Sequence, residues 1–294
     1  MKRLHAYLLL MRPANIVTSI ADVLAGIAIS GILSLSAAIP MADVIWLCIS
    51  TIGLYGGGIV FNDVFDFEID KVERPERVIP SGRISLKEAT GLGTGLLAMG
   101  IIAALLVNNT AFVLAILTAT AALVYNRWGK HHSLLGPPNM GLCRGLNLLL
   151  GVSILPAMVF DLWYIAIVPI IYISAITMIS RGEVHGSDRK PLYFAALLYG
   201  LVILMILGFA WDRQKLLIAI PFLLGFAFMV YRPLLKAIQQ PTGSAIGKSV
   251  KAGVIALILM NGAWAAAAGH WILAVLIVLL LPISLWLSKQ FAVT

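Results

Sequence analysis

The sequence predicts an all-α protein, a polytopic transmembrane helical bundle of nine or ten spans around a central cavity. Three observations carry that expectation. Hydrophobic residues make up 61% of the 294 and charged residues only 12%, about half the charged share of a soluble domain, so such a chain could not cover a water-facing surface. The apolar residues fall in runs of about 20, the length a helix needs to cross the hydrocarbon layer. The basic residues sit in short stretches between those runs. This placement turns the net charge of +8 away from nucleic acid and toward topology and anionic ligands.

Taken in order, the predicted spans are 14–34, 42–61, 90–107, 110–126, 140–160, 162–180, 192–211, 215–231, 248–268 and 271–288. Together they are read as one domain over residues 1–294. The opening Met1-Lys2-Arg3-Leu4-His5 resembles a signal n-region. Arg12 and Pro13 then interrupt the apolar stretch and no small-residue cleavage site follows closely, so the segment is read as a retained interfacial lead-in. The last four spans are separated by short turns or kinks around Asp212 and His270. With ten spans, nineteen of the twenty-one Lys and Arg residues fall on the N-terminal side, Arg144 among them; only Arg213 and Lys215 fall opposite. The positive-inside rule then places the N-terminus and these loops in the cytoplasm, in an inner or plasma membrane. Cys48 and Cys143 lack metal-ligand spacing and read as small buried hydrophobes.

Acidic residues obey no such rule, so their clustering is informative. Six of thirteen are Asp63, Asp66, Glu68, Asp70, Glu73 and Glu76, and Glu183 and Asp188 follow the sixth span. Four spans separate the two stretches, so both open on one face over one cavity. If the second span continues as helix, Asn62, Asp66 and Asp70 lie at i, i+4 and i+8 on one face, flanked by Asp63. Such a row repels itself unless a hard cation sits there, and Mg²⁺ takes one or two carboxylates plus substrate phosphates. The alternative is a solvated acidic helix end. Gly56-Gly57-Gly58, one turn earlier, marks a close approach of backbones or a ligand.

The run Asn62-Asp63-Val64-Phe65-Asp66-Phe67-Glu68-Ile69-Asp70 is followed by Arg74-Pro75-Glu76-Arg77-Val78-Ile79-Pro80-Ser81-Gly82-Arg83-Ile84-Ser85. It resembles the first signature of the UbiA superfamily of intramembrane prenyltransferases, N-D-x-x-D-x-x-x-D with an R-P-I-P-S-G-R-I-S-like loop, except that Val78 replaces a proline. Arg12-Pro13, and Tyr125 with Lys130, are similar to that family too. The second signature, D-x-x-D-x-E-G-D-R, has drifted. In Ser180 to Lys190, Glu183 stands for the second aspartate and Asp188 for the last with a one-residue slip, while Ser180 and His185 occupy acidic positions. That departure resembles a divergent, EboC-like branch and points away from the usual aromatic acceptor.

The resemblance implies transfer of a prenyl group from a prenyl diphosphate donor to a small-molecule acceptor, within the lipid bilayer and with Mg²⁺. On this reading Asn62, Asp63, Asp66 and Asp70 hold the metal, which neutralises the leaving diphosphate. Arg77, Lys130, Arg189 and Lys190 clamp phosphate oxygens, each with an alternative as a topology anchor. Tyr125 donates to a phosphate or belongs to the interfacial aromatic belt. Glu183, His185 and Asp188 serve acceptor activation, with His185 able to act as base or to sit solvated in its loop. Two rival classes remain at this stage. A membrane terpene cyclase would use the same ionisation without an acceptor. A carrier would account for the intramembrane Asp22 but not for the oxygen row beside a basic loop.

Overall fold

The computed structural model describes residues 2–35, 40–184 and 186–291. Among these, every regular element is helical, as expected where lipid offers the backbone no hydrogen-bond partners. Helix α1 (Lys2–Met11) meets α2 (Pro13–Ile29) at 46°. Arg12 makes the bend in the left-handed region at φ 47°, and Pro13 opens α2, where a missing N–H removes no helical bond. Helix α3 (Met41–Phe65) is followed across Asp66 by the short α4 (Phe67–Glu73). Helix α5 (Leu86–Leu105) starts on a capping box of Ser85 and Glu88, and α6 (Asn109–Arg127) on the Asn108 side chain, which accepts from the Ala111 amide at 2.8 Å. Then come α7 (Gly136–Val152), α8 (Pro156–Leu162), α9 (Ile167–Ser180), α10 (Arg189–Asp212), α11 (Leu216–Gln239), α12 (Gly243–Ala267), α13 (Trp271–Val278) and α14 (Leu280–Gln290).

Eight segments are long and apolar enough to cross a membrane, counting Pro156–Ser180 and Trp271–Gln290 as one each, and the bent α1–α2 pair makes a ninth. Helix α7 is only 17 residues long, yet it packs inside the bundle against α2, α6 and α9. The turns at Asp212 and His270 are real breaks, with left-handed backbone at Gln214 and Gly269.

Several expected boundaries shift. The first span stops at Ile29 rather than 34, and the run expected over 140–160 is divided. Helix α7 ends at Val152 and a new helix starts at Pro156, because a proline within a helix breaks its hydrogen bonding. Arg144, expected in a loop, lies in the middle of α7 with 1% of its surface exposed. Buried at the bundle interior, it is therefore removed from the topology ledger, which becomes eighteen of twenty cations, in loops and in helices, on the N-terminal side.

Helix α12 is the axis of the bundle. Its most apolar stretch is 78% buried, against 22% for α11 and for Trp271–Gln290. Several helix pairs meet backbone to backbone through glycine, as in other membrane bundles. A Cβ at Gly26 of α2 would fall 2.2 Å from the Leu148 carbonyl oxygen of α7, and one at Gly151 would fall 2.1 Å from that of Val23. Gly53 of α3 against the Leu96 oxygen of α5, and Gly141 of α7 against the Ile170 oxygen of α9, are nearly as tight, at 2.4 and 2.5 Å. By contrast, Gly91 and Gly208 face open space. Gly151→Ala is expected to destabilise the fold by about 1–3 kcal/mol through overpacking. Gly208→Ala should be neutral or stabilising by up to about 1 kcal/mol, since alanine favours helix. Thermal unfolding followed by size-exclusion chromatography in detergent separates the two; equal melting temperatures would contradict the close approach.

Candidate active site

The cytoplasm-facing end proposed from the sequence takes shape where α3 gives way to α4. The hydrogen-bond ladder runs on across the join, from the Asp66 amide to the Asn62 oxygen at 3.1 Å and from the Asp70 amide to the Asp66 oxygen at 2.8 Å. Asn62, Asp66 and Asp70 thus keep near-helical spacing, but each side chain has a different partner. Asp63 and Asp70, seven residues apart and hence on one face, share Arg77: its guanidinium is 2.7 Å from Asp70 and 3.5 Å from Asp63. Arg12, at the α1–α2 bend, completes Asp63 at 3.0 Å. Asp66 instead pairs with Lys130. The Asn62 amide donates to Asn126 at 3.1 Å, and Asn126 donates to the Gly58 carbonyl at 2.7 Å, tying α3 to α6.

The loop after α4 holds Arg77 in place. Val78, Ile79 and Ile84 are buried with Ala6, Leu10, Val60 and Ala89 in a small apolar core beneath it. Val78 therefore fills a packing position where the family pattern has proline. Arg83 clamps the turn by donating to the Glu76 carbonyl at 2.6 Å and to Ser81 at 3.0 Å, and Gly82 supplies φ +74°. The three glycines before the motif have different jobs. Gly57 is packed against Gly93 and Leu97 of α5, whereas Gly58 lines the cavity.

That cavity measures about 290 Å³. Its mouth carries Arg12, Asn62, Tyr125, Asn126 and Glu183; Ile173, Ile176, Val254 and Leu257 from α9 and α12 make an apolar wall. The first stretch thus contributes Asn62 to the lining and the second Glu183, with Asp63, Asp66 and Asp70 following Asn62 outside it. Glu183 is half-buried, and its Oε1 has no hydrogen-bond partner among the described residues. Burial pushes its carboxyl above the ordinary value, with Arg74 pulling partly the other way. The loop is held by the start of α12: Ser187 donates to the Pro241 carbonyl at 3.3 Å, and a Cβ at Gly243 would strike the Glu183 oxygen.

The remaining predicted residues lie apart. Asp188, Arg189 and Lys190 are exposed and do not line the cavity, and Arg189 reaches the Gln239 carbonyl at 3.4 Å. His185 lies outside the described residues.

Sequence reasoning missed the opposite wall. Arg144 donates to Asp22 at 2.7 Å and to Thr18 and the Tyr55 hydroxyl, each at 2.7 Å. Asn147 and Asn261 complete the Asp22 carboxylate at 3.0 and 2.7 Å. Arg144, Tyr55 and Asn147 line the cavity. An acid and a base each interrupting an apolar run were the available signal, since such residues pair in membranes.

A family model described as the UbiA prenyltransferase family matches residues 23–245. The chain belongs to that family. It is an integral membrane protein of the UbiA fold. Over 149 residues it is 37% identical to the digeranylgeranylglyceryl phosphate synthase of Ignicoccus hospitalis, covering 51% of this chain and 47% of that one; the match spans about half the length of that relative. The namesake from Saccharolobus solfataricus is 28% identical over 287 residues, 87% of this chain and 96% of that one. Among solved structures, a UbiA homolog from Archaeoglobus fulgidus bound to GPP and Mg²⁺ superposes with a TM-score of 0.61 at 15% identity, covering 86% of this chain and 99% of that one.

A carboxyl whose folded pKa is raised contributes stability below its unfolded pKa and loses it as the pH climbs through the folded value. For Glu183 the window opens at its ordinary value of 4.5 and closes above it. Across that window the wild type should lose melting temperature relative to Glu183→Gln, which lacks this contribution. Superimposable pH profiles of the two proteins in differential scanning fluorimetry would count against a desolvated Glu183.

Proposed function

We propose that this chain is a Mg²⁺-dependent prenyltransferase that moves a prenyl group from an isoprenoid diphosphate to a small, non-aromatic acceptor inside the membrane. One observation carries the reading: Arg12 and Asn62 line a cavity with an apolar wall, and Asn62 opens a carboxylate-rich helix end that is ion-paired to Arg12, Arg77 and Lys130. The donor has the matching shape, a polyanionic head on a hydrocarbon tail.

The donor set suits Mg²⁺, which takes oxygen ligands and is commonly completed by substrate phosphates rather than by protein alone. Among the described residues no three His, Cys, Asp or Glu converge on an all-protein metal site, in keeping with an ion that phosphate completes. We assign Asn62 and Asp66 as its ligands, with Asp63 and Asp70 beside them. When bound, the ion supplies neutralisation of charge on the leaving diphosphate.

The protein's own groups do the rest. Arg77 presents a guanidinium that matches phosphate geometry, and Lys130 adds a point charge. Tyr125 offers a hydroxyl at the cavity wall. The carbon–oxygen bond to diphosphate breaks with its electron pair going to the phosphate oxygen, and the aliphatic walls keep water from the allylic cation. An acceptor hydroxyl attacks the cation and its proton passes to Glu183, whose raised affinity for protons suits a general base. His185 and Asp188 belong to the same loop and are secondary candidates for that proton. Arg189 and Lys190, outside the cavity, attract the anionic donor from a distance.

The relatives' name, digeranylgeranylglyceryl phosphate synthase, supports an aliphatic hydroxyl acceptor such as a singly prenylated glyceryl phosphate. The placement of eighteen of the twenty remaining cations on the N-terminal side, in loops and in helices, supports a cytoplasmic N-terminus and cytoplasmic active-site loops.

Purified protein in nanodiscs, incubated with labelled geranylgeranyl diphosphate and geranylgeranylglyceryl phosphate, should yield a prenylated product by mass spectrometry. Asp66→Ala should insert and fold but release no diphosphate, and EDTA should reproduce that loss in the wild type. Arg77→Ala should weaken binding of a prenyl thiodiphosphate by about 1.5–3 kcal/mol, the worth of a charged hydrogen bond. Full turnover by Asp66→Ala after chelation, or a cyclic hydrocarbon as sole product, would overturn the assignment.

A further inference from the structure

The wall of the cavity formed by α2, α3 and α7 is polar at a depth where hydrocarbon would suffice. Tyr55 stands seven residues before Asn62 on α3, about 10 Å along the helix at 1.5 Å per residue. Arg144 beside it is 1% exposed and carries a full charge into the bundle interior. Such groups are expensive in a membrane and mark function when they face a cavity.

The hydrogen bonds of this wall leave a particular remainder. Asp22 spends its oxygens on Arg144, Asn147 and Asn261. Thr18 accepts from Arg144 and donates to the Asn15 carbonyl at 2.7 Å. Asn147 accepts from Thr51 at 2.7 Å and donates to the Ser19 carbonyl at 2.9 Å. Two groups on residues that line the cavity keep an unused donor. The Arg144 Nε–H is buried without a partner. The Tyr55 hydroxyl accepts from Arg144, and among the described residues no acceptor takes its proton. A buried donor with no acceptor costs about 1–3 kcal/mol, so a ligand oxygen placed here removes a standing penalty.

The chemistry of that oxygen is constrained. The guanidinium charge is already balanced by Asp22, so the pair is neutral and a free anion gains little from it. Both free groups donate, so the ligand must accept. Donors aimed at an attacking hydroxyl would hold back its lone pair, so the oxygen is not the reacting one. We propose that Arg144 and Tyr55 form an intramembrane recognition site for a non-reacting, uncharged oxygen of the acceptor, in a glyceryl acceptor its ether oxygen. This rests on the prenyltransferase reading and adds the acceptor's position. The acceptor lies along the polar wall of α2, α3 and α7, and the donor tail lies along the apolar wall of α9 and α12.

The test compares geranylgeranylglyceryl phosphate with its analogue in which methylene replaces the ether oxygen, by titration calorimetry into nanodiscs holding the full chain. The wild type should bind the ether about tenfold more tightly, the factor that corresponds to 1.4 kcal/mol. In Tyr55→Phe and in Arg144→Lys, which keeps a cation for Asp22, the preference should shrink to about threefold or less, with prenyl thiodiphosphate affinity unchanged. A merely structural role would weaken both probes equally and leave their ratio intact. Equal binding of the two probes by the wild type, no binding of either, or an undiminished ratio in both variants overturns the proposal. A wild type that shows the preference yet releases no diphosphate with Mg²⁺ would instead overturn the transferase reading and leave this site standing.

Discussion

The carboxylate of Asp22 and the guanidinium of Arg144, buried together inside the bundle, are the interaction on which the remaining architecture leans. One charge left alone at the centre of a bilayer costs on the order of 2.5–3.5 kcal/mol by insertion scales, so neither residue is tolerable without the other. Their partners come from α2, α3, α7 and α12. Four helices far apart in sequence are thereby held to one mutual rotation, because each must present a polar atom at one point. Dispersion packing between aliphatic surfaces in lipid has no comparable directional demand. Breaking one side of a buried pair typically costs about 3–5 kcal/mol, far more than the intact pair contributes over an apolar replacement. The pair is better understood as a device for register than as a source of stability.

Charge at the cavity mouth is arranged differently. There the carboxylates of Asp63, Asp66 and Asp70 are matched by Arg12, Arg77 and Lys130, and their side chains keep some exposure. Asp66 is held by a lysine, a flexible stem with a single point charge, whereas Asp63 and Asp70 share the planar fork of Arg77. The first arrangement exchanges partners readily and the second does not. Deep in the bundle the charges fix helices; near the mouth the pair of Asp66 and Lys130 is free to change what it holds.

The helical class, most segments and the first acidic stretch were legible in the sequence because each rests on local periodicity and spacing. Asn62, Asp66 and Asp70 could be placed from an i, i+4 pattern alone, and the two acidic stretches could be brought together by counting spans. The division of those carboxylates between Arg77 and Lys130 could not be read, since Lys130 comes from another helix. Arg144 was misplaced because a cation near the edge of an apolar run looks like a topology marker. Only its contact with Asp22, 122 residues away, shows otherwise. Pro156 was a visible break, but a continuous apolar composition concealed it. Arg189 matched the end of the family pattern in sequence and Lys190 follows it, yet both lie outside the chamber.

The glycine contacts between helices also decide which sides of the chamber are porous. Where α2 meets α7, α3 meets α5 and α7 meets α9, main chain lies against main chain, and a single added methyl group would collide. A hydrocarbon chain is wider than a methyl group, so these three seams are shut to lipid. Contacts between α9 and α12 instead involve side chains, as where a Cβ at Gly253 would fall 3.0 Å from the end of the Ile176 side chain, and side chains can rotate aside. A long-tailed molecule arriving sideways from the bilayer would therefore be turned away at these seams, and the small residues that let these helices touch also act as the protein's seals.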